Sequence, residues 1–210
     1  MPFELWLTFV AASTALLLIP GPTVLLVLSY ALSKGRPVAM ASAAGVALGD
    51  LVAMTASLLG LGALVLASAT LFSVLKWVGA AYLIYLGIKL LRSAPSEGFD
   101  TSSLQRNITG RGVFVHTAAV TALNPKSIAF FIAFVPQFIS LNAPLPPQFA
   151  ILIATFVGLA AINSLAYALL ADRLRQTIRR PGVITWLTRG GGGALIAMGV
   201  MTATLRGSAS

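Results

Sequence analysis

The chain alternates between long apolar runs and short polar breaks, and that pattern predicts six membrane-spanning helices. A helix needs about 20 apolar residues to cross the hydrocarbon core. Six stretches meet that length: Leu5–Leu32, Val38–Leu61, Leu64–Leu91, Val113–Ile139, Phe149–Leu170 and Ile184–Leu205. Ser33 to Pro37 forms a tight turn, Gly62–Ala63 separates spans two and three, and Ser93–Gly112 is the one long polar connection. Asn142 to Pro147 breaks the chain before span five, and Asp172 to Gly182 lies before span six.

Composition agrees with the pattern. Of 210 residues, 58% are apolar and only 9% charged, against roughly 25% charged in soluble domains. A single transmembrane domain over residues 1–210 is expected, with no room for a soluble one. The net charge of +9 does not point to nucleic acid, because Lys and Arg cluster at the ends of the apolar runs. The chain has no cysteine, which excludes disulfides and thiolate chemistry. No Lys or Arg precedes Lys34. A secretory signal needs a basic start, so the first run is expected to be retained as a span.

Charge also orients the spans. Lys34 and Arg36 follow span one, Lys89, Arg92, Arg106 and Arg111 follow span three, and Arg173, Arg175, Arg179, Arg180 and Arg189 follow span five. Gly62–Ala63 and Ser140–Gln148 carry no basic residue. Positive-inside logic places the three basic loops in the cytoplasm and both termini outside. The same loops suit anionic lipid headgroups.

Six spans divide into two halves of three, repeat A (1–92) and repeat B (113–210), joined by a cytoplasmic linker (93–112). An odd count per half inverts one half relative to the other. Spans one and four are equivalent in that scheme, and each is interrupted, by Pro20-Gly21-Pro22 and by Asn124-Pro125-Lys126. Helix breaks at matched positions of two halves point to a transporter binding site. The bland reading is that both prolines only kink their helices.

Asp50 is the residue that most demands explanation. It is one of five acidic residues and lies in an otherwise uncharged run. A carboxylate at membrane depth costs several kcal/mol and is found where water, a partner or a substrate meets it. Asp50 lies about 18 Å from the cytoplasmic end of its span, Lys126 about 20 Å from that of span four, and Lys76 roughly 18 Å from the outer end of span three. An ion pair of Asp50 with Lys76 or Lys126 is the structural alternative, and Lys76 is the better placed of the two lysines to snorkel.

One carboxylate, one or two ammonium groups and two broken helices match a zwitterion. Half-helix N-termini beginning at Pro22 and Pro125 offer free N–H groups to a carboxylate. Asp50 pairs with an ammonium group or carries a coupling proton. Asn124 and Asn163 add polar contacts, although an interhelical hydrogen bond accounts for Asn163 equally well. Tyr82 is a candidate cavity residue. Gly45 and Gly49 read as a close-packing pair, Trp6, Trp77 and Trp186 as interface anchors or packing, and His116 as interfacial. No metal site or cofactor is expected.

Pro20-Gly21-Pro22, Gly45-xxx-Gly49-Asp50, Lys76-Trp77-Val78-Gly79-Ala80-Ala81-Tyr82-Leu83 leading into Tyr85-Leu86-Gly87, and Asn124-Pro125-Lys126 together resemble the LysE/RhtB family of bacterial amino-acid exporters. The resemblance runs through the whole chain in order. It implies a permease of the bacterial inner membrane, not an enzyme, that exports amino acids or close derivatives in exchange for protons. It carries the family's site positions onto Pro20, Gly21, Pro22, Asp50, Asn124, Pro125 and Lys126. A homo-oligomer is a further candidate partner state. The run Gly190–Gly193 has no counterpart in these motifs.

Other classes fit less well. An aspartyl protease needs a second acid beside Asp50, and a metal exporter needs several oxygen or sulfur ligands at mid-membrane. An exporter of another small solute or cation, or a non-transport intramembrane protein, is the alternative. Topology is directly testable: reporters fused after Ser210 are expected to read outside and those within Ser96–Ser103 inside, and a cytoplasmic C-terminus would overturn the six-span count.

Overall fold

In the computed structural model the protein is an all-helical membrane bundle, described over residues 1–19, 21–34, 36–92, 109–140, 143–178 and 181–204. Eight α-helices follow one another: α1 (Phe3–Leu18), α2 (Pro22–Lys34), α3 (Arg36–Ala67), α4 (Ala69–Arg92), α5 (Gly110–Ala122), α6 (Pro125–Ala133), α7 (Leu145–Ile178) and α8 (Pro181–Thr204), with a 3-10 turn over Val135–Phe138 after α6. Both expected breaks are present. The first apolar stretch divides into α1 and α2, bent by 60°, and the fourth into α5 and α6.

Proline dictates where each break falls. A residue preceding proline is pushed out of the helical region into extended backbone. Ile19 accordingly closes α1 at φ −69°, ψ 117°, and Asn124 separates α5 from α6 at φ −68°, ψ 111°. Pro22 and Pro125 then open the next helices, where a missing N–H costs nothing because the first turn has no intrahelical acceptor for it.

Several expected loops are helical instead. α3 runs through Gly62 and Ala63 as far as Ala67, so the connection to α4 falls at Ser68. Neither Gly62 nor Ala63 supplies a cap, whereas the Ser68 hydroxyl accepts from Leu71 N–H at 3.2 Å and starts the new helix. Likewise α7 continues from Ala171 to Ile178, because Arg, Leu, Gln and Ala are good helix formers once the chain leaves the apolar layer. The linker 93–108 and the breaks at 141–142 and 179–180 lie outside the described residues.

Among the described residues, three helical segments are long and apolar enough to span: Pro37–Leu64, Ser73–Arg92 and Leu145–Ala171. The bent α1–α2 pair makes a fourth. Their outward faces carry large apolar side chains, among them Leu59, Val74 and Ile162, a surface that suits lipid and not water. Trp77 and Trp186 are exposed, in keeping with anchoring positions.

α3 is the central helix, packed on α5, α7 and α2, while α4 pairs with α8. Glycine sets these approaches. A Cβ on Gly45 would lie 2.5 Å from the Phe114 carbonyl oxygen, and one on Gly49 2.6 Å from that of Ala118. The Gly45/Gly49 pair is therefore a packing device that seats α3 on α5. The Gly190–Gly193 run has a similar explanation in part. A Cβ on Gly191 would meet the Ile19 side chain at 2.6 Å, and one on Gly192 would meet Leu91 at 2.7 Å and the Gly87 carbonyl at 2.8 Å. Gly190 and Gly193 face open space. An aromatic cluster of Phe130, Phe131, Phe134 and Phe156 fills the core behind α6, with Phe131 and Phe156 edge to face at 4.8 Å.

Gly49→Leu is expected to lower thermal stability in detergent by about 1–3 kcal/mol through overpacking against α5. Gly60→Ala, where nothing lies within 4 Å, serves as the comparison. It is expected to be neutral or slightly stabilising, since Ala is the better helix former. Equal losses at the two positions would refute the packing role of Gly49.

Candidate functional site

The two broken helices satisfy each other's free backbone groups. α1 ends with carbonyls to which no further helical turn donates, a deficit that is costly at membrane depth. The Lys126 ammonium, from the first turn of α6, donates to the Leu16 carbonyl at 3.1 Å and the Ile19 carbonyl at 3.0 Å. A cation at a helix C-terminus also meets the negative end of the helix dipole. Gly21 leaves room for it: a Cβ there would stand 3.3 Å from Lys126 Nζ.

Asn124 closes the complementary contact. Its side-chain oxygen accepts from Lys126 N–H at 3.0 Å and so caps α6. Its amide nitrogen donates to Thr23 Oγ1 at 3.2 Å, in the first turn of α2. The Thr121 hydroxyl, from α5, donates to the same Thr23 oxygen at 3.5 Å. The start of each second half-helix is thereby tied to the other break.

Asp50 reaches this junction from α3. It is 2% exposed, and its Oδ1 has no hydrogen-bond partner. Lys126 donates to carbonyls, and it attracts the Asp50 carboxylate without a hydrogen bond to it, so the structural alternative of a close Asp50–Lys126 ion pair is not what the structure shows. Both side chains line one small cavity, with about 30 Å³ open to water centres, together with Gly21, Asn124 and Asn163. That volume accommodates a water or two and is smaller than an amino acid, so a solute enters only if the surrounding helices separate. Of the three ammonium donors of Lys126, two hydrogen bonds to α1 are accounted for, which leaves one for a carboxylate.

The remaining sequence candidates fall as follows. Pro22 and Pro125 open α2 and α6, as their spacing suggested. Pro20 lies outside the described residues, and so does the Lys76 side chain, although its backbone belongs to α4. Tyr82 does not line the cavity. It is half-buried, packs against the apolar core and stands 6.0 Å from the Tyr85 ring. Asn163 lines the cavity and donates to the Leu17 carbonyl at 3.2 Å, the interhelical hydrogen bond of the alternative reading. His116 is exposed on α5, with Nδ1 2.9 Å from the Tyr30 hydroxyl on α2. Trp6 donates to Thr155 Oγ1 at 3.0 Å, a packing role. Among the described residues no group of three His, Cys, Asp or Glu forms a metal cluster.

Thr23, Ser127 and Ser164 also line the cavity, and sequence reasoning passed over them. Hydroxyl residues occur throughout the spans and usually bond their own helix. The available signal was adjacency, since Thr23 follows Pro22, Ser127 follows Lys126 and Ser164 follows Asn163.

Comparison with known proteins covers nearly the whole chain. Residues 14–205 match the family of LysE type translocators. The homoserine/homoserine lactone efflux protein of Salmonella typhimurium is 34% identical over 206 residues, covering 98% of this chain and 99% of that protein. Its counterpart in Salmonella typhi is 35% identical over the same length and coverage. An uncharacterized membrane protein of Vibrio cholerae is 32% identical over 207 residues, covering 98% of this chain and all of that protein. No solved structure gives a significant match.

Stability separates the roles of the two charged residues. Lys126→Met removes the donor to the Ile19 carbonyl, while the Leu16 carbonyl keeps the Ile19 N–H at 3.3 Å, and it is expected to cost about 1–3 kcal/mol for the one carbonyl orphaned. Asp50→Asn removes a buried, unpartnered charge and is expected to leave the melting temperature in detergent unchanged or raised. Destabilisation by both changes, relieved in the double variant, would instead mean that the two form a structural ion pair.

Proposed function

The chain belongs to the LysE type translocators, and from that premise we propose that it exports amino acids or close derivatives across the bacterial inner membrane in exchange for protons. The observation that carries this reading is Asp50, a buried carboxylate with an unpartnered oxygen, which lines the cavity where both broken helices meet. A multi-pass membrane transporter needs such a group only where a cargo or a proton will occupy it. The names of the Salmonella relatives make homoserine, which carries both the ammonium and the carboxylate, the first cargo to test.

The geometry assigns complementary tasks. Asp50 takes the ammonium group of the cargo or, in the return step, a proton. The two states compete for one carboxylate, and that competition is what couples the fluxes. The remaining Lys126 donor, with the free N–H groups in the first turns of α2 and α6, takes the cargo carboxylate. Both half-helices present their positive ends there. Because Lys126 also holds the end of α1, cargo binding at its ammonium group bears on the contact that joins the two breaks. This links occupancy to the separation of helices that entry requires.

The reading includes six spans in two inverted halves, with both termini outside. Part of the packing fits it: pairing α1 with α5, α2 with α6, α3 with α7 and α4 with α8 maps the α3–α5 contact onto α1–α7 and the α2–α7 contact onto α3–α6, whereas the α4–α6 and α2–α3 contacts have no such counterpart. The α3–α7 and α4–α8 contacts map onto themselves.

Proteoliposomes loaded with homoserine provide the test. An inward proton gradient is expected to accelerate efflux through the wild-type protein. Asp50→Asn keeps the side-chain size but cannot ionise, and it is expected to abolish that acceleration while reconstituting normally. Efflux from the Asp50→Asn protein that still responds to the gradient would overturn the assignment.

A further inference from the structure

Resting on the exporter reading, we infer that Ser127 and Ser164 form the subsite for the cargo side chain and select amino acids that carry a side-chain hydroxyl. Both serines line the same cavity as Asp50 and Lys126. They come from different elements: Ser127 follows Lys126 on α6, and Ser164 follows Asn163 on α7. Both are buried, at 6% and 5% exposure. Neither hydroxyl is engaged in a hydrogen bond among the described residues.

That state is unusual for buried serines. A helical serine at membrane depth ordinarily returns its hydroxyl to a carbonyl one turn earlier, as Thr117 does here with the Val113 carbonyl at 2.8 Å. A hydroxyl left without a partner in a small cavity retains both a donor and an acceptor for whatever enters. Two of them, from different helices, suit a group that itself donates and accepts, and a hydroxyl does both.

The rest of the lining leaves little else for them to do. Asp50 and Lys126 match the two charges common to every zwitterionic amino acid, so neither discriminates between side chains. Val24, Val46, Leu16 and Leu17 complete the cavity with apolar surface and would accept methylenes of any cargo. Thr23, Asn124 and Asn163 also line the cavity but are engaged in hydrogen bonds within the protein, so discrimination falls to the serines. A site built to hydrogen-bond a hydroxyl rejects an isostere lacking it, because its own buried polar groups are then left unpaired. A wall that offered only apolar contacts would separate the two cargoes far less.

The test compares homoserine with norvaline, which has a methyl group in place of the hydroxyl and the same number of heavy atoms. In proteoliposomes of the full chain, each is supplied alone and efflux is measured with the same proton gradient. The wild-type protein is expected to favour homoserine. Ser127→Ala and Ser164→Ala are each expected to lower the homoserine-to-norvaline ratio about tenfold, the worth of one hydrogen bond. Ser164→Thr, which keeps the hydroxyl, is expected to hold the ratio near the wild-type value. Alanine is a good helix former, and melting temperatures of the reconstituted variants confirm folding.

Equal transport of the two cargoes by the wild-type protein, or a ratio unmoved in both alanine variants, overturns the subsite while the exporter reading stands. If the wild-type protein moves neither cargo, nor any other amino acid, the exporter reading fails and the subsite with it.

Discussion

Two helices broken inside a membrane must find partners for the backbone groups they release, and here each break supplies the partners for the other. Water would satisfy those groups at a protein surface, but hydrocarbon offers nothing. The Lys126 ammonium on the Leu16 and Ile19 carbonyls, and the Asn124 side chain on Thr23 and its own helix, meet much of that need. Loss of this exchange would leave a carbonyl orphaned at the end of α1 and an uncompensated charge on α6. The elements around the cavity all lead to that junction.

Its consequence is a site with one part satisfied and one part left open. Lys126, Asn124 and Thr23 have partners within the protein, whereas the Asp50 Oδ1 has none. The packing of α3 enforces that difference. Gly45 and Gly49 bring α3 so close to the α5 backbone that the next residue, Asp50, is carried to the edge of the second break. A larger residue at either glycine would push the carboxylate away from the cavity. The small-residue motif and the acidic residue thus form one device, in which the first part positions the second.

Much of this was legible along the chain. The six apolar runs, the position of both breaks and the special status of Asp50, Asn124 and Lys126 follow from residue types and spacing, because proline geometry and the cost of buried charge are local properties. The matches to the LysE type translocators cover the same motifs. Helix ends were less legible. Gly62 looked like a loop, yet the helix passes through it to Ser68, since a glycine without a cap or proline does not end a helix held by its neighbours. The glycine run before α8 became intelligible only when Gly191 met Ile19 and Gly192 met α4.

The sequence by itself determined that the protein is an all-helical membrane protein and which charged groups interrupt its apolar runs. It also determined where the helices must break. Those are consequences of composition, proline and the price of a charge in hydrocarbon. Which partner each charge takes was decided only in three dimensions. Lys126 could have neutralised Asp50 by position along the spans, but it bonds the Leu16 and Ile19 carbonyls, because the bend after α1 delivers both acceptors beside Gly21. Tyr82 turned into the core while Ser127 and Ser164 turned into the cavity. Helix rotation and long-range packing set those directions, and no local pattern encodes them.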